Sequence, residues 1–301
     1  MRVGPGHDCA VVAGDGIALS SDMSVEGVHF RRDWLSARET GFRAAAAALS
    51  DLAAVAARPI GVLAALAVRR EDADTYAVHL MAGVRAAVES VGGVLLGGDL
   101  TRAEQTVVDV TAVGECPRPV LRSGAMPGDE VWVTGELGGA AAYVGALLRD
   151  ELPDPSGRER FAAPAPRTRE ALWLAERGVP RAMVDLSDGL AGDVAHVAAA
   201  SGVAVVLEVE AVPVHGSVWA GAGSDEVARA VAMGGGEDYE LCFCARPGSV
   251  AGLVAEFVQT FGVRLTRVGR VEAGAGVWRA EPGGGRRALD MGGFQHFGGQ
   301  G

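Results

Sequence analysis

Asp8-Cys9-Ala10-Val11-Val12-Ala13-Gly14-Asp15-Gly16-Ile17-Ala18-Leu19-Ser20-Ser21-Asp22 reads as two short apolar strands, Cys9–Ala13 and Ile17–Ser21, around an Ala-Gly-Asp-Gly turn. Paired as a hairpin, these strands bring Asp8, which precedes the first, and Asp22, which ends the second, to one rim. Four further aspartates stand where hydrophobic runs give way to Gly, Ser or Thr: Asp51, Asp99, Asp185 and Asp188. Carboxylates delivered from several elements suit hard divalent cations, which take oxygen ligands and accompany phosphates.

The rest of the inventory narrows the chemistry. All 27 basic side chains in the 301 residues are Arg. A chain without lysine excludes a Walker-type phosphate loop, a protein kinase fold with its strand lysine, and a Schiff-base pyridoxal enzyme. The formal net charge of -11 argues against nucleic acid or an anionic membrane as partner. Cys9, Cys116, Cys242 and Cys244 are too few for a disulfide framework, which points to a reducing cytoplasm. Cys242 and Cys244 share one face of an expected strand and read as packing residues. No apolar run reaches the ~18 residues of a membrane span, and no signal-peptide core follows Met1.

Strand-like and helix-like segments alternate. Ser36-Ala37-Arg38-Glu39 is a capping box opening an Ala-rich helix toward Ala57. Expected strands follow at Ile60–Val68, Val94–Leu96 and Thr106–Gly114, with a helix over Ala73–Ser90. Pro117, Pro119, Gly124, Pro127 and Gly128 mark a joint, so two domains are expected, 1–124 and 125–301. The second has expected strands at Glu130–Thr134, Ala182–Asp185, Val203–Glu208, Tyr239–Ala245 and Val263–Val271. Its helices are expected to follow Gly135, Gly138 and Gly139 through Leu148, and at Leu190–Ala200, Asp225–Met233 and Ser249–Phe261.

Singly, each acidic position has a structural reading. Asp188 or Ser187 would cap a helix, Asp22 would be a solvated strand end, Asp99 a turn residue, and His29 a core histidine. Together these readings weaken. Asp51 falls on an Ala/Leu-rich helix, where burying an uncompensated carboxylate costs on the order of several kcal/mol. Asp99 follows Gly97-Gly98, which permit close backbone approach by a ligand.

The motifs resemble one family extensively, the thiamine-monophosphate kinases of the superfamily of aminoimidazole ribonucleotide synthetase and selenophosphate synthetase. The resemblance runs through Gly6-His7-Asp8-Cys9-Ala10, Ser21–Phe30 with Val25-Glu26-Gly27-Val28-His29-Phe30, Leu49–Ala54, Gly97-Gly98-Asp99 and Arg122–Asp129. It continues through Val133-Thr134-Gly135, Pro166-Arg167, Asp185–Leu190 and Gly235-Gly236-Glu237-Asp238-Tyr239-Glu240-Leu241 to Phe294. The Val-Glu-Gly-Val-His-Phe and Gly-Gly-Glu-Asp-Tyr-Glu-Leu stretches carry it most specifically.

The resemblance implies a two-domain α+β fold like aminoimidazole ribonucleotide synthetase, with mixed sheets and flanking helices. It also implies that the N-terminal sheets pair across a homodimer with ATP near the interface. The implied reaction is ATP-dependent phosphorylation of thiamine phosphate to thiamine diphosphate with several Mg²⁺ ions. Asp8, Ser21, Asp22, Asp51, Asp99, Asp185 and Asp188 would hold metals, with Asp51, Asp99 and Asp188 central to catalysis. Gly98, Asp99, Arg122 and Ser187 would meet ATP, and His29, Glu237 and Phe294 would meet thiamine phosphate.

Three departures stand out: His7 where the family usually has a second aspartate, Leu49 where it often has Asn, and a chain that begins almost at the first motif. The alternatives are another ATP-dependent synthetase of the superfamily or a catalytically silent nucleotide-binding dimerisation module. A selenophosphate synthetase would want a reactive Cys or selenocysteine with Lys near the N-terminus, and a hydrogenase-maturation relative a C-terminal cysteine. Neither pattern is present.

Overall fold

The computed structural model describes residues 8–12 and 16–289. In chain order these form β1 (Ala10–Val12), β2 (Ile17–Val25), α1 (Ala37–Ala54), β3 (Arg58–Val68), α2 (Tyr76–Ser90), β4 (Val94–Arg102), β5 (Val107–Glu115) and β6 (Glu130–Thr134). Then come α3 (Gly139–Leu148), α4 (Arg158–Ala162), α5 (Thr168–Glu176), β7 (Pro180–Asp185), α6 (Leu190–Ser201), β8 (Ala204–Leu207), α7 (Gly216–Gly221) and α8 (Asp225–Gly234). The chain continues with β9 (Leu241–Ala245), α9 (Val254–Phe261), β10 (Leu265–Glu272), β11 (Gly276–Ala280) and β12 (Arg286–Ala288).

The fold is α+β with two mixed sheets. Two compact units share the chain: the described residues to Leu121 with Ala162–Gly178, and Arg122–Phe161 with those from Val179 on. The expected boundary near 124 thus lies close to the first exit from unit one. Nothing in the sequence announced that Ala162–Gly178 returns to it, carrying α5 against α1 and β3.

The first sheet runs β1-β2-β5-β3-β4. β1 and β2 pair antiparallel, Ala10 opposite Leu19 and Val12 opposite Ile17, as the hairpin reading required. β3 and β4 are parallel, which α2 makes possible by crossing back over one face. Ala18, Val62, Ala64, Leu66, Val108, Val110 and Ala112 point to that face and bury against α1 and α2. The capping box forms as read: the Ser36 amide donates to Glu39 Oε2 at 2.8 Å and the Glu39 amide to Ser36 Oγ at 3.3 Å. The two helices meet backbone to backbone. A Cβ at Gly41 would lie 1.9 Å from the Leu80 carbonyl, and one at Gly83 1.9 Å from that of Arg38.

Two strands outrun their expected ends. β2 continues to Val25, so Asp22 lies within it, and β4 continues to Arg102, so Gly97-Gly98-Asp99 is strand. Gly98 is there because β4 lies against β3, where a Cβ would sit 1.8 Å from the Ala64 carbonyl oxygen.

The second sheet runs β12-β11-β8-β10-β6-β9-β7, all antiparallel neighbours except β11 and β8. Cys242 and Cys244 pack in its core, and burial pushes the Cys244 thiol up to about 12, so both are inert apolar fillers. The expected helix Ser249–Phe261 is helical only from Val254, after a 3₁₀ turn at Ala251–Leu253. No described helix is long and apolar enough to cross a membrane.

Candidate metal and phosphate site

In unit one the site begins where the hairpin meets α1. Carboxylate oxygens of Asp8 and Asp51 lie within 4.8 Å of each other. Ser20 on β2 donates its hydroxyl to Asp51 Oδ2, and Cys9 Sγ donates to the Asp51 carbonyl at 3.3 Å. Leu49 and Leu52, fully buried on either side, fix the helical phase that turns Asp51 to the sheet. Two carboxylates this close repel, and a cation between them relieves the repulsion. The donors are all oxygen, as Mg²⁺ or Ca²⁺ requires.

Strand alternation sorts β2. Ser20 and Asp22 share the face of Ala18, toward the helices. Ser21 points to the opposite face, donating to Asp109 Oδ1 at 2.9 Å and lying 3.3 Å from Thr111 Oγ1. Ser20 was not singled out from sequence, although its i, i+2 relation to Asp22 was the available signal.

Asp99 is exposed on β4, its Oδ1 accepting the Leu100 amide at 2.9 Å. Beside it an open cavity of about 710 Å³ runs between β3, β4 and α2, lined by Ala77, Val78, Met81, Arg85, Leu95 and Gly98 among others. Its α2 wall was not foreseen, because apolar residues at helical spacing read as core.

His29 sits in the turn after β2. Its Nδ1 accepts the Val25 amide at 3.0 Å, which puts the ring proton on Nε2. Glu26 braces this turn, accepting from the Thr106 amide and Arg69 Nη2, both at 3.1 Å. Burial would raise the Glu26 pKa, but Thr106, Arg69 and Arg32 outweigh it and hold the carboxyl below its usual range. Arg32 lies 3.8 Å above the Tyr76 ring and grips Asp72 at 3.0 and 2.7 Å.

In unit two, β7 ends at buried Asp185, and Leu186–Gly189 turns into α6. Neither Ser187 nor Asp188 caps that helix, whose N-cap is Gly189. Glu237 lies across this turn, its amide donating to the Ser187 carbonyl at 2.8 Å. Arg122 opens the unit, its carbonyl accepting from Ser201 Oγ at 3.2 Å.

Comparison with known proteins decides the family. Residues 6–116 match the AIR synthase related protein, N-terminal domain, and 126–278 its C-terminal domain. The thiamine-monophosphate kinase of Methanopyrus kandleri is 35% identical over 286 residues, spanning 92% of this chain and 85% of that one.

The chain belongs to the thiamine-monophosphate kinase family.

A solved thiamine-monophosphate kinase from Stenotrophomonas maltophilia K279a superposes with a TM-score of 0.81 at 32% identity, covering 87% of this chain and 84% of that one. A structure described as AaThiL complexed with AMPPCP and TMP superposes with a TM-score of 0.84 at 30% identity, over 97% and 91%.

Within the family frame, unit one brings Asp8 and Asp51 together, whereas Asp22 and Asp99 lie far from each other. Asp22 pairs with Val110, Val110 with Ala64, and Ala64 with Gly98. The strand of Asp22 is therefore three inter-strand spacings, roughly 14 Å, from that of Asp99, and by alternation the two aspartates belong to opposite faces. Unit two brings Ser187 and Glu237 together. His7 and Phe294 lie outside the described residues.

Proposed function

We propose that this protein transfers the γ-phosphoryl group of ATP to thiamine phosphate, giving ADP and thiamine diphosphate. The observation that carries the reading is the oxygen-only cluster of Asp8, Asp51 and Ser20 in a lysine-free chain of this kinase family. Both substrates present anionic phosphates, and such a chain needs cations to hold them. The acceptor is a phosphate monoester whose second pKa is ~6, so its attacking oxygen is already ionised at neutral pH and needs no general base. What remains is to align two anions.

Asp8, Asp22, Asp51 and Asp99 of unit one, with Asp185 and Asp188 of unit two, are assigned to Mg²⁺ on the phosphates. Ser20 joins them by orienting the Asp51 carboxylate, while Ser21, turned to Asp109, fits this role less well than its neighbour. Bound Mg²⁺ would screen the repulsion between the phosphates and stabilise charge on the transferring group. The cavity beside Gly98 and Asp99 is assigned to the adenine of ATP, its apolar walls suiting a flat base next to a carboxylate that serves the phosphate end. Arg122 and Ser187 are assigned to ATP. His29, with a donor at Nε2, and Glu237 are assigned to thiamine phosphate, and Phe294 to its ring system.

The separation of Asp22 and Asp99 supports a homodimer. Ions serving one phosphate group lie about 4 Å apart, far less than the sheet places between these aspartates. A second copy is assigned to supply Asp99 to the Asp22 side. Four buried cysteines held as thiols support a cytoplasmic setting.

The test is incubation of purified protein with ATP, Mg²⁺ and thiamine phosphate. Thiamine diphosphate is the expected product; nucleotide binding with no product would overturn the reading in favour of a silent module.

A further inference from the structure

We propose that Asp238 and Glu240 are positioning residues that hold Glu237 and the Asp185–Gly189 turn as one rigid presenting surface for thiamine phosphate. The inference rests on the kinase reading and extends it to residues that touch no substrate.

The backbone first raises the question. Glu237 has φ 68 and Tyr239 φ 50, left-handed conformations that side-chain-bearing residues avoid. Such geometry persists only where the surroundings impose it. Three backbone hydrogen bonds, each 2.8 Å, tie this segment to the metal-side turn: Glu237 N–H to the Ser187 carbonyl, Tyr239 N–H to the Leu186 carbonyl, and Leu186 N–H to the Glu240 carbonyl.

Two buried carboxylates anchor the segment from beneath. Both oxygens of Asp238 accept the Gly138 amide at 2.9 Å. Glu240, fully buried, accepts from the Thr134 hydroxyl at 2.7 Å and from Arg160 at 2.8 Å. Thr134 Oγ1 in turn accepts the Leu241 amide at 2.9 Å. Burying two acids side by side is costly, and burial drives the Asp238 carboxyl well above its usual pKa range. A core that needed only volume would use apolar residues here. The polar alternative fixes the backbone direction of the residue between them and the turn, which is Glu237. Alternating anchored and strained positions thus leave Glu237 partly exposed while its neighbours Asp238, Tyr239 and Glu240 are buried.

The test is steady-state kinetics on Asp238→Ala, Asp238→Asn and Glu240→Gln, alone and combined with Glu237→Gln. Asp238→Ala and Glu240→Gln should raise the KM for thiamine phosphate about tenfold with the KM for ATP within about twofold. Asp238→Asn keeps an acceptor for Gly138 and should recover most of the affinity. In the Glu237→Gln background, Asp238→Ala should add nothing, since the residue it positions is already disabled. Full additivity, unchanged KM values, or equal rises for both substrates would overturn the proposal. Thr134→Val, which removes the donor to Glu240 and the acceptor of the Leu241 amide at nearly constant volume, carries the same comparison if Asp238→Ala does not fold. A wild-type protein that makes no thiamine diphosphate would sink the kinase reading itself, an outcome distinct from any of these.

Discussion

Asp193, in the first turn of α6, accepts the backbone amide of Asp188 at 3.0 Å. The helix thereby grips the turn that precedes it and sets where the Asp188 side chain points. Asp193→Ala should raise the Mg²⁺ concentration for half-maximal rate about tenfold, while Asp193→Asn, which retains an acceptor, should stay near wild type. A Mg²⁺ titration of the three proteins decides, and identical curves would remove Asp193 from the argument.

Asp51→Asn and Asp99→Asn should each lower turnover by up to ~10³-fold, the scale of losing a principal electrostatic stabiliser. Amide replacements are near-isosteric, so thermal midpoints should change little. Folded variants with wild-type rates at saturating Mg²⁺ would contradict the metal assignment.

Mixed dimers test the shared site. Random assembly of Asp22→Asn and Asp99→Asn subunits yields half mixed dimers. If Asp99 acts across the interface, each of these has one intact site, restoring roughly a quarter of wild-type activity from two inactive parents. Were both aspartates used within one chain, every site would carry a lesion and the mixture would stay inactive.

Gly98→Ala drives a methyl into the Ala64 carbonyl and must part β4 from β3. A loss of about 2 kcal/mol is expected in urea unfolding, together with faster amide exchange along β4. Undiminished stability would mean that the strands separate freely.

The pH dependence of stability has one identifiable contributor in unit one. The hydrogen bond from Arg32, outweighing burial, holds the Asp72 carboxyl below its ordinary range. A depressed folded pKa contributes stability that is present above the unfolded value of about 3.9 and lost as pH falls through the folded one. Asp72→Asn should therefore cost about 1 kcal/mol at pH 7 and flatten the acid limb of the stability profile. Equal acid sensitivity in both proteins would assign that limb to other groups.

Most elements were legible because their signals are local: the Ser36–Glu39 box starts α1, and alternation with a Gly-rich turn makes β1 and β2. The aspartate motifs were legible for the same reason. What escaped depends on distant contacts. Whether Gly97-Gly98 ends a strand or lets it press on a neighbour depends on β3, 34 residues earlier in register, so the expected β4 stops short. The return of Ala162–Gly178 to unit one depends on α1, and β11 and β12 are strands by virtue of β8. That Ser20 donates to Asp51 was not legible either, because the pleat of β2, and not residue type, decides which of two adjacent serines faces it.

The close approach of α1 and α2 at Gly41 and Gly83 has a consequence for reading mutational scans. With no side chain at the crossing, α1 and α2 have nothing to repack, and any larger residue displaces a whole helix whose other end, ten residues or about 15 Å along, carries Asp51. In a growth selection, substitutions at these two glycines would score as harshly as substitutions of the aspartate itself. A scan that recorded fitness alone would then attribute chemistry to two positions whose only task is to be small.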